Sequence, residues 1–483
     1  MAMLGKKRPP RRQSGVSGLA RVPHGEKAPP ESQAPEAQSD AAASTVTVER
    51  LAHDGRGVAR SAAGKTLFVT QALPGERVEV AVHRTRKRFD EAHVKRRAND
   101  SPRRVTPPCA YFGRCGGCDL QHMALDAQRE HKVAAVRELC ARQGLELPAD
   151  MEMLATRAED YRRRARLGVN VDGQGRVLVG FRAAGSQRLV DIDRCHVLVP
   201  KLAALLAPLR EVIQALEAPR RVGHVELVDT AGGCAITVRQ PRPHANDAER
   251  WRAFADRLAA QGVALALLEG RDAPRLEWLG EPPALAETLA LPGLAPLELG
   301  VAPGDFLQAN AAVNAQMVAR VMEWLAPSPG ERYLDLFAGI GNFSLPAAAA
   351  GASVTAVEGH PAMVERLAAN ARRNGLDLRA TRADLNVPGT AAALLDETAA
   401  DALILDPPRA GAEAICRTLA DAVSRPAQLA YVSCDPATLA RDVARLTAGG
   451  YRIGQVAVAD MFVHTAHMET LMLLEDIRQP GAS

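Results

Sequence analysis

Residues 335–343 read DLFAGIGNF, at the end of an apolar run and ahead of a helical pattern. Glycines at 339 and 341 let a backbone approach a ligand closely, and the start of a helix offers free N–H groups. A dinucleotide fingerprint needs a third glycine, but Ser344 stands in its place. Glu358 ends the next strand-like run, where a carboxylate accepts hydrogen bonds from ribose hydroxyls. The stretch therefore favours S-adenosylmethionine (SAM) over NAD.

The chain from Gly300 onward alternates between short apolar runs and helical patterns. Such alternation predicts an α/β fold with a parallel, doubly wound sheet. The predicted strands are 333–337, 353–358, 378–382, 402–405 and 428–432, and the predicted helices are 361–374, 413–423 and 438–446. Two later runs, 452–458 and 469–474, fit an antiparallel hairpin that closes the sheet. Asp384, after the third strand, is placed to reach an adenine ring; an ordinary loop acid is the alternative for Asp384 and Glu358.

A cysteine follows the last predicted parallel strand, in the sequence VSCDP of residues 432–436. Side chains at the carboxyl ends of such strands face the ligand crevice of an open α/β sheet. Cys434 is therefore a candidate nucleophile, and a buried core cysteine is the alternative. Asp406 opens a DPPR sequence after the preceding strand. Enzymes that methylate exocyclic amines carry an aromatic residue where Arg409 stands, so that reaction loses its stacking partner here.

A thiol beside SAM fits methylation of a pyrimidine carbon, because C5 of uracil is too weak a nucleophile to take the methyl group directly. A thiolate that adds to C6 converts the ring to an enolate, whose C5 then attacks the methyl group. A base must afterwards remove the C5 proton so that the thiolate can leave. Glu469 is the candidate base, since a charge that opens the apolar run 471–474 is costly unless it is used or paired. An exposed residue of an edge strand is the alternative for Glu469.

Three cysteines share a glycine-rich loop, and Cys195 is their natural fourth partner; the three are Cys109, Cys115 and Cys118. Four thiolates bind either zinc or an iron–sulfur cluster. Zinc sites usually pair two C-x2-C knuckles, and the second knuckle is absent, so the spacing favours a [4Fe–4S] cluster. The remaining cysteines lie in helical or strand patterns that predict core positions: Cys140, Cys234 and Cys416.

Short alternating runs separated by turn signals occupy residues 46–82 and predict a small β-barrel. A basic stripe at its far edge is opposed only by Asp90, Glu91 and Asp100. The stripe consists of Arg84, Arg86, Lys87, Arg88, Lys95, Arg96, Arg97, Arg103 and Arg104. A local imbalance of this kind on a nucleic-acid scaffold predicts binding to an RNA phosphate backbone, with a solvated surface as the alternative.

The length of 483 residues predicts two to four domains, and 47% hydrophobic residues is typical of a globular protein. The pattern predicts a disordered tail over 1–45, the barrel over 46–105, a central α+β region over 106–300 and the SAM domain over 301–483. No apolar run is long enough to span a bilayer, and the first residues lack the apolar segment of a signal peptide. We therefore expect a soluble cytoplasmic protein that does not bind a membrane.

Taken together, these motifs resemble those of the bacterial RNA uracil-C5 methyltransferases, and among them the 23S ribosomal RNA type with an N-terminal TRAM barrel and a [4Fe–4S] cluster. The resemblance covers residues 46 to about 475. It implies a Rossmann-like class I methyltransferase domain, preceded by an OB-like barrel and a central α+β domain. The matching motifs are FLQAN at 306–310 and those at 335–343, 406–409, 433–436 and 467–470.

The resemblance also implies a role for each motif residue. Cys434 would be the nucleophile and Glu469 the proton acceptor. SAM contacts would come from Gln308, Phe337, Asn342, Glu358, Asp384 and Asp406, although the family often has Asn at position 384. The cluster ligands would be Cys109, Cys115, Cys118 and Cys195. Residues 161–166 and 181–182 would contact RNA, with a solvated strand face as the alternative.

The expected function is SAM-dependent methylation of one uridine C5 in 23S ribosomal RNA, by a monomer that needs no protein partner. A base inside folded RNA must be flipped out to meet Cys434. One alternative is the same chemistry on transfer RNA or on another ribosomal RNA site. Another is a non-catalytic RNA-binding factor for ribosome assembly, but the presence of both Cys434 and Glu469 argues against it.

Overall fold

The computed structural model describes residues 44–478, so the expected tail lies outside the described residues apart from its last two positions. Five strands form a closed barrel in the order β1-β2-β3-β5-β4. Its core consists of alternate strand residues such as Val48, Leu67 and Val78, because successive side chains on a strand point to opposite faces. The strands are β1 (Ser44–Leu51), β2 (Gly57–Arg60), β3 (Thr66–Thr70), β4 (Arg77–Thr85) and β5 (Phe89–Arg97).

Part of the predicted basic stripe is itself a strand, β5, whose end carries three exposed basic residues, Lys95, Arg96 and Arg97. Arg104 is a correction to the predicted stripe. Its guanidinium is bound by Glu76, which is fully buried, and donates to the Gln71 carbonyl at 2.8 Å. The pair ties the segment after the barrel to the turn before β4, so Arg104 is not available to a phosphate.

The segment that follows the barrel packs against the C-terminal part of the chain. Helix α1 (Leu125–Arg142) contributes Val136 and Leu139 to a core that also contains Leu405 and Leu439. Strand β6 (Glu152–Leu154) pairs in parallel with a strand at residues 451–459. Residues 125–154 therefore belong, by packing, with the sheet that carries the glycine-rich stretch.

A second sheet of seven strands fills the middle of the chain, in the order β13-β12-β11-β10-β7-β8-β9. Its strands are β7 (Arg164–Val171), β8 (Val177–Arg182), β9 (Leu189–Asp191), β10 (His224–Asp229), β11 (Cys234–Gln240), β12 (Val263–Glu269) and β13 (Arg275–Trp278). The helices α2 (Pro200–Ala203), α3 (Leu206–Ala215) and α4 (Ala248–Ala259) accompany it. Residues of α3 and α4, such as Leu209 and Trp251, share one core with the sheet.

The sequence predicts one helix over 201–216, and the structure divides it into α2 and α3. Pro208 lies in the first turn of α3. A proline has no N–H to donate to the carbonyl four residues earlier, here that of Ala204, so the helix begins again at Leu206.

The C-terminal sheet has eight strands in the order β18-β17-β16-β19-β20-β22-β21-β6. A hairpin of β14 (Ala286–Leu289) and β15 (Leu297–Gly300) precedes it. The strands are β16 (Arg332–Leu336), β17 (Ser353–Glu358), β18 (Arg379–Arg382), β19 (Ala402–Leu405), β20 (Gln428–Ser433), β21 (Tyr451–Ala459) and β22 (Glu469–Asp476). The helices are α5 (Ala311–Leu325), α6 (Ser344–Ala349), α7 (Pro361–Arg373), α8 (Thr390–Thr398), α9 (Glu413–Asp421) and α10 (Pro436–Ala448).

Strands β16 to β20 are parallel, and β22 and β21 form the expected antiparallel hairpin. Separate apolar cores lie on the two faces of this sheet. The predicted α/β fold, with a small barrel and an α+β region before a doubly wound sheet, is confirmed. Among residues 44–478 no helix has the length and apolar character that a membrane span requires.

A buried ion pair joins α1 to the connection between β21 and β22. Lys132 Nζ lies 2.6 Å from Asp460 Oδ1, and both side chains are at most 1% exposed. Lys132 also donates to the Phe462 carbonyl at 3.1 Å, and Arg129 reaches Asp460 at 3.2 Å. Because a buried charge is costly without its partner, these contacts fix where the chain leaves β21 on its way to Glu469.

Candidate active site

The pairing of three strands brings the candidate catalytic residues to one edge of the sheet. Leu405 lies beside Tyr431 in the parallel pair β19–β20, and Ser433 lies beside Thr470 in the antiparallel pair β20–β22. The next positions along these strands are Asp406, Cys434 and Glu469. Since β22 runs in the opposite direction, its first residue meets the carboxyl ends of its parallel neighbours.

The same three side chains share a face of the sheet. Ile404, Val432 and Leu471 lie in one apolar core. Strand side chains alternate in direction, so residues two positions away point to the same side. Asp406, Cys434 and Glu469 are each two positions from one of these core residues, and the fold therefore gathers them above the same core.

The turn that carries Cys434 is built by its neighbours. Strand β20 ends at Ser433, and Asp435 caps α10 by accepting the N–H groups of Ala437 (3.1 Å) and Thr438 (3.0 Å). Pro436 occupies the first helical position, where a missing N–H costs nothing. The thiol is thus held in a short strand-to-helix turn and is half-buried rather than part of the core.

Burial raises the pKa of the Cys434 thiol to about 11. The negative charges of Glu469 and Asp406 act in the same direction, whereas the charge and hydrogen bonding of the Arg409 guanidinium lower this pKa. Without substrate, the thiol is therefore protonated at neutral pH. Arg409 is the group that favours the thiolate.

Burial also raises the pKa of the Glu469 carboxyl well above its ordinary value, helped by the charge of Asp406. The residue is 5% exposed, which excludes the alternative of a surface position on an edge strand. Burial likewise raises the pKa of Asp406 to about 7. A carboxyl group with a raised pKa is a stronger base once ionised, which suits it to accept a proton near neutral pH.

In the sequence, Arg409 stands out only because it replaces the aromatic residue of a related motif. In the structure its Nη2 lies 3.4 Å from His467 Nδ1, and its carbonyl accepts the Thr438 hydroxyl at 3.2 Å. His467 precedes the candidate base by two residues, so Arg409 connects the DPPR turn to the start of β22. The arginine that stands in place of the motif's aromatic residue was the signal in the sequence that could have indicated this connecting role.

The glycine-rich stretch adopts a conformation that few other residues accept. Gly339 and Gly341 have φ values of +58° and +101°. A Cβ at Gly341 would lie 2.8 Å from Leu367 and 2.9 Å from Leu345, so both the space and the backbone require glycine there. Phe337, at the end of β16, also has a positive φ of +66° and is half-buried.

Polar groups surround this stretch in the manner of a nucleotide site. Glu358 accepts the N–H groups of Gly339 at 3.2 Å and His360 at 2.8 Å. Asn342 exchanges two amide hydrogen bonds with Asn314, a residue of α5, at 2.8 and 3.0 Å. Helix α5 was not predicted, so Asn314 was missed.

Asp335 contributes a further buried acid beside the stretch. It is 1% exposed, and burial raises its pKa to about 7. One of its oxygens accepts the Ser344 hydroxyl, and the other has no partner among the described residues. An unpartnered buried oxygen of this kind is suited to a ligand that carries donors or positive charge.

The remaining predicted SAM contacts lie around the same edge. Gln308 is 8% exposed and precedes α5, where its carbonyl accepts Arg163 Nε at 2.9 Å. Asp384 follows β18 and is exposed, and its carboxylate accepts the backbone and side-chain N–H groups of Asn386 at 2.9 and 3.0 Å. Phe337, Glu358, Asp384 and Asp406 lie at or just after the carboxyl ends of four neighbouring strands of the sheet, although Asp384 makes only local contacts.

The four predicted metal ligands line one cavity of about 390 Å³. They are Cys109, Cys115, Cys118 and Cys195. The same cavity is lined by Arg409 and His467, so it adjoins the catalytic edge. The three cysteines that were predicted to be core residues are buried elsewhere, namely Cys140, Cys234 and Cys416.

The thiols of this cavity behave as buried groups. Burial raises the pKa of Cys118 to about 12 and that of Cys115 and Cys195 above the ordinary value, and a negative charge on Cys109 would raise the pKa of all three further. Within residues 44–478, no three Cys, His, Asp or Glu side chains are arranged to hold a single metal ion. In an iron–sulfur cluster each thiolate binds a different iron, so its ligands need not converge on one point.

Three predicted RNA contacts of the central region are wrong, because they are buried: Tyr161, Arg163 and Ala165, the last of which is 2% exposed. Tyr161 and Arg163 are each 6% exposed. The Tyr161 hydroxyl donates to the Val463 carbonyl at 3.1 Å, and Arg163 is paired with Glu287. Three neighbours remain accessible on the cysteine cavity, namely Arg162, Phe181 and Arg182.

Comparison with known proteins agrees with this geometry. The tRNA (Uracil-5-)-methyltransferase family matches residues 124–477, and the TRAM domain family matches residues 43–95. The chain is 55% identical to the 23S rRNA (uracil(1939)-C(5))-methyltransferase RlmD of Halomonas elongata, over 100% of this chain and 99% of that protein. It is 56% identical to the protein of the same name from Chromohalobacter salexigens, over 98% and 96% of the two chains.

Among solved structures, the tRNA (uracil-54, C5)-methyltransferase of Pyrococcus abyssi, in complex with S-adenosyl-L-homocysteine, has a TM-score of 0.69. It is 23% identical and covers 89% of this chain and 100% of its own, a likeness that shows the fold alone. The family matches, and the relatives that align over nearly the whole chain at 55% and 56% identity, show the family as well as the fold. On these grounds, the chain belongs to the tRNA (Uracil-5-)-methyltransferase family and carries an N-terminal TRAM domain.

Proposed function

We propose that this protein transfers a methyl group from SAM to C5 of one uridine in 23S ribosomal RNA. The observation that carries the proposal is the meeting of Cys434 and Glu469 on one face of the sheet, beside the glycine-rich stretch. Relatives at 55% and 56% identity bear the name of a 23S rRNA uracil-C5 methyltransferase, which favours ribosomal RNA over other RNA.

The first step is addition of the Cys434 sulfur to C6 of the flipped-out uracil. The S–C6 bond forms, the C5–C6 π electrons move toward O4, and the thiol proton leaves to a base or to solvent. Arg409 favours this step because its positive charge lowers the pKa of the thiol. A cysteine that adds covalently divides one difficult substitution into easier steps.

Bound SAM supplies the methyl group that the nucleophilic C5 takes up. Glu469 then accepts the C5 proton, the electrons of that C–H bond reform the C5–C6 double bond, and the S–C6 bond breaks to release Cys434. The raised pKa of Glu469 makes its ionised form a stronger base than an ordinary carboxylate. The products are 5-methyluridine and S-adenosylhomocysteine. The released Cys434 thiolate takes up a proton and Glu469 gives its proton to solvent, which restores the starting state.

SAM fits the residues around the glycine-rich stretch. Glu358, whose carboxylate accepts the Gly339 N–H, would bind the ribose hydroxyls, and the backbone at Gly339 and Gly341 would face the body of the ligand. The free oxygen of Asp335 is suited to the positively charged methionine end. Gln308, Phe337, Asn342, Asp384 and Asp406 complete the proposed set of contacts.

A [4Fe–4S] cluster is the proposed occupant of the cysteine cavity, held by Cys109, Cys115, Cys118 and Cys195. The donor set consists of four thiols, which is the usual ligand set of such a cluster. It would crosslink the loop of the first three cysteines to the segment of Cys195. The chemistry of the reaction does not require it, because the proposed steps use only Cys434, Glu469 and SAM.

The proposed RNA surface combines the barrel with the mouth of the cysteine cavity. Arg86, Lys87 and Arg88 are exposed on the barrel, and Arg162 and Arg182 line the cavity beside Arg409. Every group of the proposed reaction comes from one chain, so a monomer suffices. A protein that acts on ribosomal RNA belongs in the cytoplasm, and we propose that location.

We expect the protein to form one 5-methyluridine per molecule in an unmodified 23S rRNA transcript, and none in a tRNA transcript. Cys434→Ala should abolish methylation because no C5 enolate forms, while binding of SAM is retained. The measurement is nucleoside mass spectrometry with isothermal titration of SAM; Cys140→Ala, in the core of α1, is the matched control. Methylation by Cys434→Ala would contradict the mechanism, and methylation of the tRNA transcript alone would establish the alternative substrate.

We expect alkylation of Cys434 by iodoacetamide to accelerate about tenfold per pH unit between about pH 7 and 10, because only the thiolate reacts and its pKa is raised to about 11. Peptide mass spectrometry reports the rate at this one cysteine. Arg409→Ala should slow the reaction at each pH, since loss of the guanidinium raises the thiol pKa further. A rate that reaches its plateau below pH 8 would contradict the burial argument.

We expect anaerobically purified protein to be brown and to contain iron and sulfide, and Cys118→Ala to lose both because a four-thiolate site loses one ligand. Visible absorbance and iron analysis are the measurements. Cys140→Ala is again the control and should keep the cluster, since Cys140 lies in the core that α1 shares with the C-terminal sheet and not in the cysteine cavity. A colourless, zinc-loaded protein with full activity would overturn the cluster assignment.

A further inference from the structure

The connection between β21 and β22, residues 460–468, leads directly into Glu469. It is bound to the loop that carries the first three cysteines. The His464 carbonyl accepts the backbone N–H groups of Asp119 at 3.0 Å and Leu120 at 2.9 Å. In return, Asp119 Oδ1 accepts the N–H of Ala466 at 2.9 Å. Asp119 follows Cys118 directly, so the cysteine loop and the connection share a hydrogen-bonded seam.

The seam holds a strained turn. His464 has a φ of +67°, a left-handed conformation that is unfavourable for a residue with a side chain. Gln128 supports it from α1, because its Oε1 accepts the His464 N–H at 3.1 Å and its Nε2 lies 3.2 Å from the imidazole. Conformations of this kind persist only where the surroundings fix them.

Apolar packing reinforces the same contact. Val463 is fully buried with Tyr161 and Val197, and Cys118 and Cys195 pack against this group. The cysteine site and the connection therefore form one packed unit at Val463, six residues before the candidate base. The turn that carries Cys434 has a support of its own, because Asp435 caps α10 there.

We propose that Asp119 is a positioning residue for Glu469: it holds the N–H of Ala466 and thereby sets where β22 begins. The inference rests on the proposed function, which makes Glu469 the base. It also assigns the four-cysteine site a function. Because Asp119 follows Cys118 directly, a site that fixes Cys118 also holds Asp119 beside the connection. That site then acts on the reaction through the chain and not by contact with the uracil.

The two halves of the reaction depend on Asp119 differently. Removal of the C5 proton requires Glu469 within hydrogen-bond reach of that proton. Addition requires Cys434, which sits on a separately capped turn. Loss of the Asp119 carboxylate should therefore slow elimination more than addition, so that the covalent protein–RNA adduct accumulates during turnover.

The experiment compares the full-length protein with Asp119→Ala, Asp119→Asn and Glu469→Gln, using a 23S rRNA transcript and SAM. Turnover, the adduct on denaturing gels and the visible absorbance are measured together. Asp119→Ala should turn over about 10- to 100-fold more slowly, as expected for a misplaced catalytic group, with more adduct than the wild type and unchanged absorbance. Asp119→Asn keeps an oxygen acceptor and should restore turnover. Asp126→Ala, a nearby acid on α1, is the matched control.

Slow turnover of Asp119→Ala without extra adduct, or with loss of absorbance, would overturn the positioning role, as would turnover equal to that of the wild type. Glu469→Gln separates this inference from the function on which it rests. Adduct in Glu469→Gln but not in Asp119→Ala overturns the positioning role alone. Absence of adduct in both overturns the assignment of the base, and the positioning role with it.

Discussion

The pairing of β20 with the antiparallel strand β22 is the constraint on which the site depends. A parallel strand delivers its last residue to the ligand edge, and only an antiparallel neighbour delivers its first. The register that sets Ser433 beside Thr470 therefore brings Cys434 and Glu469 to one edge, although they are 35 residues apart (469 minus 434). A shift by one residue would turn Glu469 to the other face of the sheet, away from the thiol.

Without substrate, burial shifts the reactive groups of the site toward their neutral forms. Burial raises the pKa of Cys434, Glu469 and Asp406 together, and Arg409 is the positive charge that opposes these shifts at the first two. Such a site does not carry a reactive thiolate when no substrate is present. Addition must therefore be assisted at the ring itself. The electrons that move to O4 during addition need a hydrogen-bond donor or a positive charge near that oxygen.

Local patterns predicted the C-terminal sheet well, because each strand is a short apolar run bounded by turn residues. Glu358, Asp406 and Cys434 follow such runs, so their places at the carboxyl edge were visible in the sequence. Helix α5 was overlooked, and Asn314 with it. Charge was misleading where its partner is distant in sequence: Arg104 and Arg163 look like surface residues, but their carboxylate partners, Glu76 and Glu287, bury them. The contact of Asp119 with Ala466 spans 347 residues and has no local signature.

The central claim is that Cys434 and Glu469 act in sequence on one uracil, the first to add and the second to remove the C5 proton. The most direct measurement uses 23S rRNA made with uridine tritiated at C5 and SAM with a carbon-14 methyl group. The wild type should release one tritium for each methyl group transferred. Glu469→Gln should transfer methyl groups only up to the amount of protein, while tritium stays in the RNA. Release of tritium by Glu469→Gln in step with methyl transfer would contradict the account.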